Sequence, residues 1–81
     1  MKKYFDLRDP MDYEEEHLPD AILANVNLLP HTIHTMATKE DEILLYCYSG
    51  NRSGVAAALL QAMGYHAKSI GGFDQLKGKK W

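Results

Sequence analysis

The apolar positions of the chain fall in short blocks whose period changes along the sequence. Residues 42–48, Glu-Ile-Leu-Leu-Tyr-Cys-Tyr, give the clearest strand, a near-continuous apolar run. Such a run suits a strand covered on both faces, as in a parallel sheet. From Ser53 to Met63 the period becomes helical. Ala56, Leu59, Leu60 and Met63 fall at i, i+3, i+4 and i+7, which predicts one buried helix face. Gly64 is well placed to end that helix.

The flanking segments are shorter. Tyr4–Arg8 predicts a first strand, ended by Asp9-Pro10, with Tyr4, Asp6 and Arg8 on one side and Phe5 and Leu7 on the other. Pro10 followed by acidic residues suits a helix start over residues 10–18. Residues 21–29 are apolar and closed by Pro30, which predicts a second buried strand. Residues 31–41 predict a weak surface helix or turn, residues 66–70 a fourth strand, Gly71-Gly72 a turn and residues 73–78 a last short helix. Strands alternating with helices predict an α/β fold: a small central parallel sheet with helices on both faces. In such sheets ligands meet the loops at the carboxyl ends of strands, and Cys47 falls at such a point.

Composition narrows this picture. The 81 residues leave room for a single domain, residues 1–81, with 46% apolar and 25% charged residues and a net charge of −2. That charge gives no electrostatic footprint for nucleic acid or an acidic membrane. The basic end, Leu-Lys-Gly-Lys-Lys-Trp, reads as a solvated tail, with Trp81 a docked or frayed end. One cysteine excludes an internal disulfide, so the fold must stand on its core. No apolar run approaches the roughly 18–20 residues that cross a bilayer. The first ten residues lack the apolar centre of a leader. A cytoplasmic monomer is expected, or a periplasmic one if a leader was removed before this numbering.

The single thiol carries the candidate chemistry. A lone cysteine is most often a small buried hydrophobe. The order apolar strand, Cys47, Gly50, Arg52, helix reverses that reading. The nucleophile is the thiolate, and a free thiol titrates at roughly 8.5. The start of the Ser53–Met63 helix turns partial positive charge toward the sulfur. Arg52 adds a full charge. Gly50 lets successive N–H groups converge on an anion. Tyr48 and Ser49 are expected to be exposed and to tune access, and Asn51 to shape the loop backbone.

Tyr-Cys-Tyr-Ser-Gly-Asn-Arg-Ser, residues 46–53, resembles the active-site loop of the rhodanese family: Cys, four residues, then Arg-Ser, with a glycine between. Residues 4–30 resemble the family's opening, a strand ending Asp-x-Arg, a short helix and a Gly-His-Ile-Pro-Gly-Ala segment. Residues 56–73 resemble its later alanine-rich helix, Gly-Tyr, strand and Gly-Gly. Family domains usually carry a further strand before Asp-x-Arg. The chain begins almost at that strand and looks like the minimal, phage-shock type of single-domain thiosulfate sulfurtransferase. The two glycines of the Gly-His-Ile-Pro-Gly-Ala segment are Glu16 and Asp20 here.

The resemblance implies a rhodanese-like three-layer α/β/α fold and a sulfurtransferase. Cys47 would take sulfane sulfur from thiosulfate or a similar donor as a persulfide and pass it to cyanide or a thiol. No metal or organic cofactor is implied. Tyr48, Ser49, Gly50, Asn51, Arg52 and Ser53 would bind substrate, with Arg52 suited to an oxyanion. Asp6, Arg8 and His17 would support the site, His17 matching the family's histidine and expected to bond Asp6. A non-catalytic persulfide carrier or partner-binding module is the alternative, and a phosphatase or arsenate reductase a weaker one. His31 and His34 have the spacing of two metal ligands but lack an evident third, so no metal site is expected.

Overall fold

The computed structural model describes residues 1–76. Four strands and four helices alternate along them: β1 (Lys2–Asp6), α1 (Pro10–Glu15), β2 (Ile22–Leu23), α2 (Leu29–Met36), β3 (Glu42–Cys47), α3 (Asn51–Ala62), β4 (His66–Gly72) and α4 (Phe73–Leu76). The expected tail and Trp81 lie outside the described residues, as does the end of the helix expected over 73–78. No helix among the described residues is long and apolar enough to cross a membrane.

All pairings are parallel, in the order β2-β1-β3-β4. β3 therefore sits inside the sheet, which is why Ile43, Leu44, Leu45, Tyr46 and Cys47 are all buried. Their side chains alternate between the two faces of the sheet. Ile43, Leu45 and Cys47 join Phe5 and Leu7 of the β1 side, Leu29 and Ile33 of α2, and Ala56, Ala57 and Leu60 of α3. Tyr46 joins Leu18, Ala21, Phe73 and Leu76 on the other face, with Tyr4, Tyr13 and Ile70 packed against them. This is the expected three-layer α/β/α arrangement, and the alternation along residues 4–8 is as expected.

Four expectations are corrected. The strand expected over 21–29 is only Ile22–Leu23, because Pro30 opens α2 instead of closing a strand. Proline in a first helical turn lacks only an N–H that would have no intrahelical partner anyway. The first strand lies two residues earlier, over Lys2–Asp6. The buried face of α3 is Ser53, Ala56, Ala57 and Leu60, the same spacing begun three residues earlier, while Leu59 and Met63 are exposed. The polar Ser53 conceals that phase from an apolar pattern.

Gly71-Gly72 is the end of β4 rather than a turn. The ladder slips there: Leu45 pairs with Ser69 but Tyr46 with Gly71, leaving Ile70 as the extra residue of a bulge. A Cβ on Gly72 would lie 2.6 Å from the Tyr48 carbonyl oxygen. Glycine at this position lets the chain after Cys47 cross directly over β4.

Sheet order also locates the site. From β1 the chain winds first to β2 on one side and then to β3 on the other. The carboxyl ends of β1 and β3 thus flank a topological switch point, where α1 and α3 leave on opposite faces and a crevice opens. Cys47 ends β3 at that crevice.

Candidate active site

Local geometry after Cys47 follows from one glycine. Gly50 has φ +97°, a left-handed conformation that a side chain disfavours, and it turns the chain straight into α3. The turn folds the N–H groups back on the thiol. Gly50 N–H donates to Cys47 Sγ at 3.0 Å and Ser53 N–H at 3.5 Å. The Ser53 hydroxyl oxygen is 3.6 Å from the sulfur. Cys47 itself is 1% exposed, at the floor of a cleft of about 250 Å³ lined by Arg8, Asp9, Asp12, Cys47, Tyr48, Ser49 and Arg52.

Two opposed effects set the thiol's acidity. Burial pushes its pKa up, since a thiolate loses solvation. The Ser53 N–H and hydroxyl, then the Gly50 and Arg52 N–H groups, favour the anion and outweigh burial. The net pKa lies below that of an ordinary thiol. Arg52 thus reaches the sulfur through its backbone. Its guanidinium is exposed and lies 4.0 Å from Asp9 across the cleft mouth. The charge expected beside the sulfur stands at the rim instead.

Of the remaining loop residues, Tyr48 and Ser49 are exposed, as expected, and Tyr48 is 66% exposed. Asn51 is the first residue of α3, with Gly50 alone taking the left-handed turn, so the backbone role expected of Asn51 belongs to Gly50.

Asp6 and Arg8 form a buried pair behind the cleft. Arg8 Nη2 donates to Asp6 Oδ2 at 2.8 Å and Arg8 Nε to Oδ1 at 3.1 Å, while the Arg8 N–H bonds Oδ1 at 2.9 Å. The guanidinium also donates to the Glu16 carbonyl and lies 4.0 Å from the Phe73 ring centroid. Asp6 is fully buried behind this arginine, and Arg8 is the member of the pair that lines the cleft.

His17 is not the partner of Asp6. It is exposed, its Nδ1 is 2.7 Å from the Tyr13 carbonyl oxygen, and its ring stacks on Tyr13 at 3.8 Å between centroids. Asp6 takes its remaining bond from Tyr46, whose hydroxyl donates to Oδ2 at 2.9 Å and accepts the Leu18 N–H at 3.1 Å. Burial, opposed by the Leu18 N–H and reinforced by Asp6, pushes the Tyr46 pKa far above that of an ordinary phenol, so the hydroxyl stays a donor. In the sequence Tyr46 reads as one more apolar strand residue. No local signal could show a partner forty residues away.

Asp20 occupies one of the positions where the family carries glycine. Its φ is +63°, so it keeps the left-handed turn that glycine would take. His31 and His34 are exposed on α2. Among the described residues, no group of three or more His, Cys, Asp or Glu side chains is placed to hold a metal ion.

Residues 1–79 match the family described as the rhodanese-like domain. The chain belongs to the rhodanese family. It is 33% identical over 75 residues to the thiosulfate sulfurtransferase PspE of Escherichia coli (strain K12), covering 90% of this chain and 72% of that one. It is 36% identical over 74 residues to the thiosulfate sulfurtransferase GlpE of Coxiella burnetii (strain RSA 331 / Henzerling II), covering 89% and 68%. A solved structure described as a rhodanese with anions from E. coli superposes with a TM-score of 0.88 at 32% identity, covering 95% of this chain and 93% of that one.

Proposed function

We propose that the chain is a thiosulfate sulfurtransferase working through a persulfide on Cys47. One observation carries this reading: Cys47 Sγ receives the N–H groups of Gly50 and Ser53 at the floor of a cleft at the sheet's switch point. Two relatives named as thiosulfate sulfurtransferases support a sulfurtransferase role.

In the first step the Cys47 thiolate attacks the outer sulfur of thiosulfate. A Cys47–sulfur bond forms, the sulfur–sulfur bond of the donor breaks, and sulfite leaves with its electron pair. The negative charge passes to the outer sulfur of the persulfide. In the second step cyanide or a thiolate attacks that outer sulfur and takes it, returning Cys47 as thiolate. Backbone N–H donors ringed around Cys47 would stabilise the thiolate and the persulfide anion alike. Arg52 at the cleft mouth suits the oxyanion end of the donor, and Tyr48 and Ser49 edge its path. Arg8, held by Asp6, presents a second cation on the cleft wall.

Only Tyr48, Ser49, Gly50 and Asn51 separate Cys47 from Arg52. The related cradle of tyrosine phosphatases places five residues there. The shorter ring closes around one sulfur atom and does not span the equatorial oxygens of a phosphoryl group, and donors misplaced by about 1 Å can cost on the order of a hundredfold in rate. Thiosulfate:cyanide transfer by the wild-type chain and by Cys47→Ser tests the reading, alongside p-nitrophenyl phosphate hydrolysis. Transfer lost in the serine variant, with negligible phosphate release by either, is the expected result. Cys47-dependent phosphate release without sulfur transfer would favour the phosphatase.

A further inference from the structure

Beside the sulfur, the Ser53 hydroxyl touches a second hydroxyl. Ser53 Oγ and Ser69 Oγ are 2.6 Å apart. Ser53 is fully buried on α3, and Ser69 is half-buried on β4, beside the bulge at Ile70. Ser69 Oγ also accepts the Gly71 N–H at 3.3 Å.

A hydroxyl has one hydrogen to give. Ser53 has three acceptors within reach: the Gly50 carbonyl at 3.0 Å, Ser69 at 2.6 Å and the Cys47 sulfur at 3.6 Å. If Ser69 took that hydrogen, the thiolate would lose it. The Gly71 N–H takes one of the two acceptor sites on Ser69, and among the described residues the partner for the hydrogen of Ser69 is Ser53, a pair in which either hydroxyl can donate. With Ser69 as the donor, the hydrogen of Ser53 is left to the Gly50 carbonyl or the sulfur, and the charge of a thiolate draws it to the sulfur. When Cys47 carries its proton, the thiol donates to Ser53 Oγ and the Ser53 hydrogen returns to the Gly50 carbonyl. The bulge matters because it sets the Gly71 N–H against its own strand's Ser69.

We propose that Ser69 is a positioning residue for the reacting thiol, acting through Ser53 to direct its hydroxyl hydrogen at Cys47. This rests on the sulfurtransferase reading for its purpose, but its geometry concerns the thiolate alone. The charged groups around the cleft are Arg8 at the exit of β1, Asp9 and Asp12 at the start of α1, and Arg52 on α3. Asp74 of α4 lines the adjoining cleft, and Lys68 of β4 pairs with Glu42 at the start of β3. On the other face Tyr46 bonds Asp6. A substitution at Ser69 leaves all of them in place.

The test is the pH dependence of Cys47 alkylation by iodoacetamide in four chains: wild type, Ser69→Ala, Ser53→Ala and the double variant. No sulfur donor is needed, so the outcome is independent of whether thiosulfate is the substrate. Ser69→Ala is expected to move the inflection upward and to slow alkylation several-fold at pH values below it. In the Ser53→Ala background the same change should have no further effect, because the residue through which Ser69 acts is gone. Ser69→Thr, which keeps the hydroxyl, should restore the wild-type inflection. An unmoved inflection in Ser69→Ala, or an equal shift with and without Ser53, overturns the proposal.

Discussion

The N–H of Gly50 points at Cys47 Sγ over 3.0 Å, and it can do so because Gly50 adopts φ +97°. The donor and the turn that aims it are one residue. Gly50→Ala adds a Cβ that meets only ordinary contacts, 3.5 Å from the Gly71 carbonyl carbon. Its penalty is therefore conformational, roughly 1–2 kcal/mol for a left-handed backbone with a side chain. A lower melting temperature and an upward shift of the thiol inflection are expected together. Melting curves and alkylation profiles on the same preparation check this.

Gly72 offers a different case. Alanine there would place its Cβ 2.6 Å from the Tyr48 carbonyl oxygen, so the Tyr48-Ser49 backbone must move. Gly72→Ala is expected to lose most sulfur transfer, because the loop that carries the donors is displaced. Gly54→Ala is the contrast. Nothing lies within 4 Å of its added Cβ in the first turns of α3, and the better helix former should stabilise by about 0.5–1 kcal/mol. Thermal melts and transfer assays should separate the two.

Asp6 and His17 are expected to part company. Asp6 is fully buried and paired with Arg8, so Asp6→Asn leaves a buried guanidinium without its counter-charge, a change costing about 3–5 kcal/mol. His17→Ala removes an exposed ring stacked on Tyr13 and should change stability by no more than about 0.5 kcal/mol. Denaturant titration of both variants decides it; equal destabilisation would contradict the assignment of Tyr46, in place of His17, as the partner of Asp6.

The candidate site was more legible in the sequence than the arrangement behind it. A single thiol at the end of an apolar strand, a glycine and a helix start are local features, and local features survive in a linear reading. Ser53 was harder, because a serine on the buried face of a helix breaks the apolar pattern that marks such a face. Pro30 punctuates either a strand end or a helix start, and the short stretch before it could not decide between them. Gly71-Gly72 has the composition of a turn, yet its glycines serve the close approach of Tyr48 from a distant strand. Tyr46, Asp6 and Leu18 meet only in three dimensions.

The depressed thiol pKa has a definite sign with pH. Cys47 is more acidic in the folded chain than an ordinary thiol. The anion's hydrogen bonds therefore add stability fully above the unfolded thiol's pKa, and this gain is lost as pH falls through the lower folded value. Sulfur transfer should fall over the same lower range as the thiolate is protonated. A pH profile of transfer, taken with excess thiosulfate, is expected to turn below the range of a free thiol.

The central claim is that sulfur rests covalently on Cys47 between two half-reactions. Intact mass of the wild-type chain and of Cys47→Ser after incubation with thiosulfate alone tests it most directly. The wild type should gain the mass of one sulfur atom, release an equal amount of sulfite, and lose the added mass when cyanide is supplied. The serine variant should gain nothing. A wild-type chain that turns over thiosulfate and cyanide without ever carrying the added sulfur, or a serine variant that carries it as well, would contradict the account.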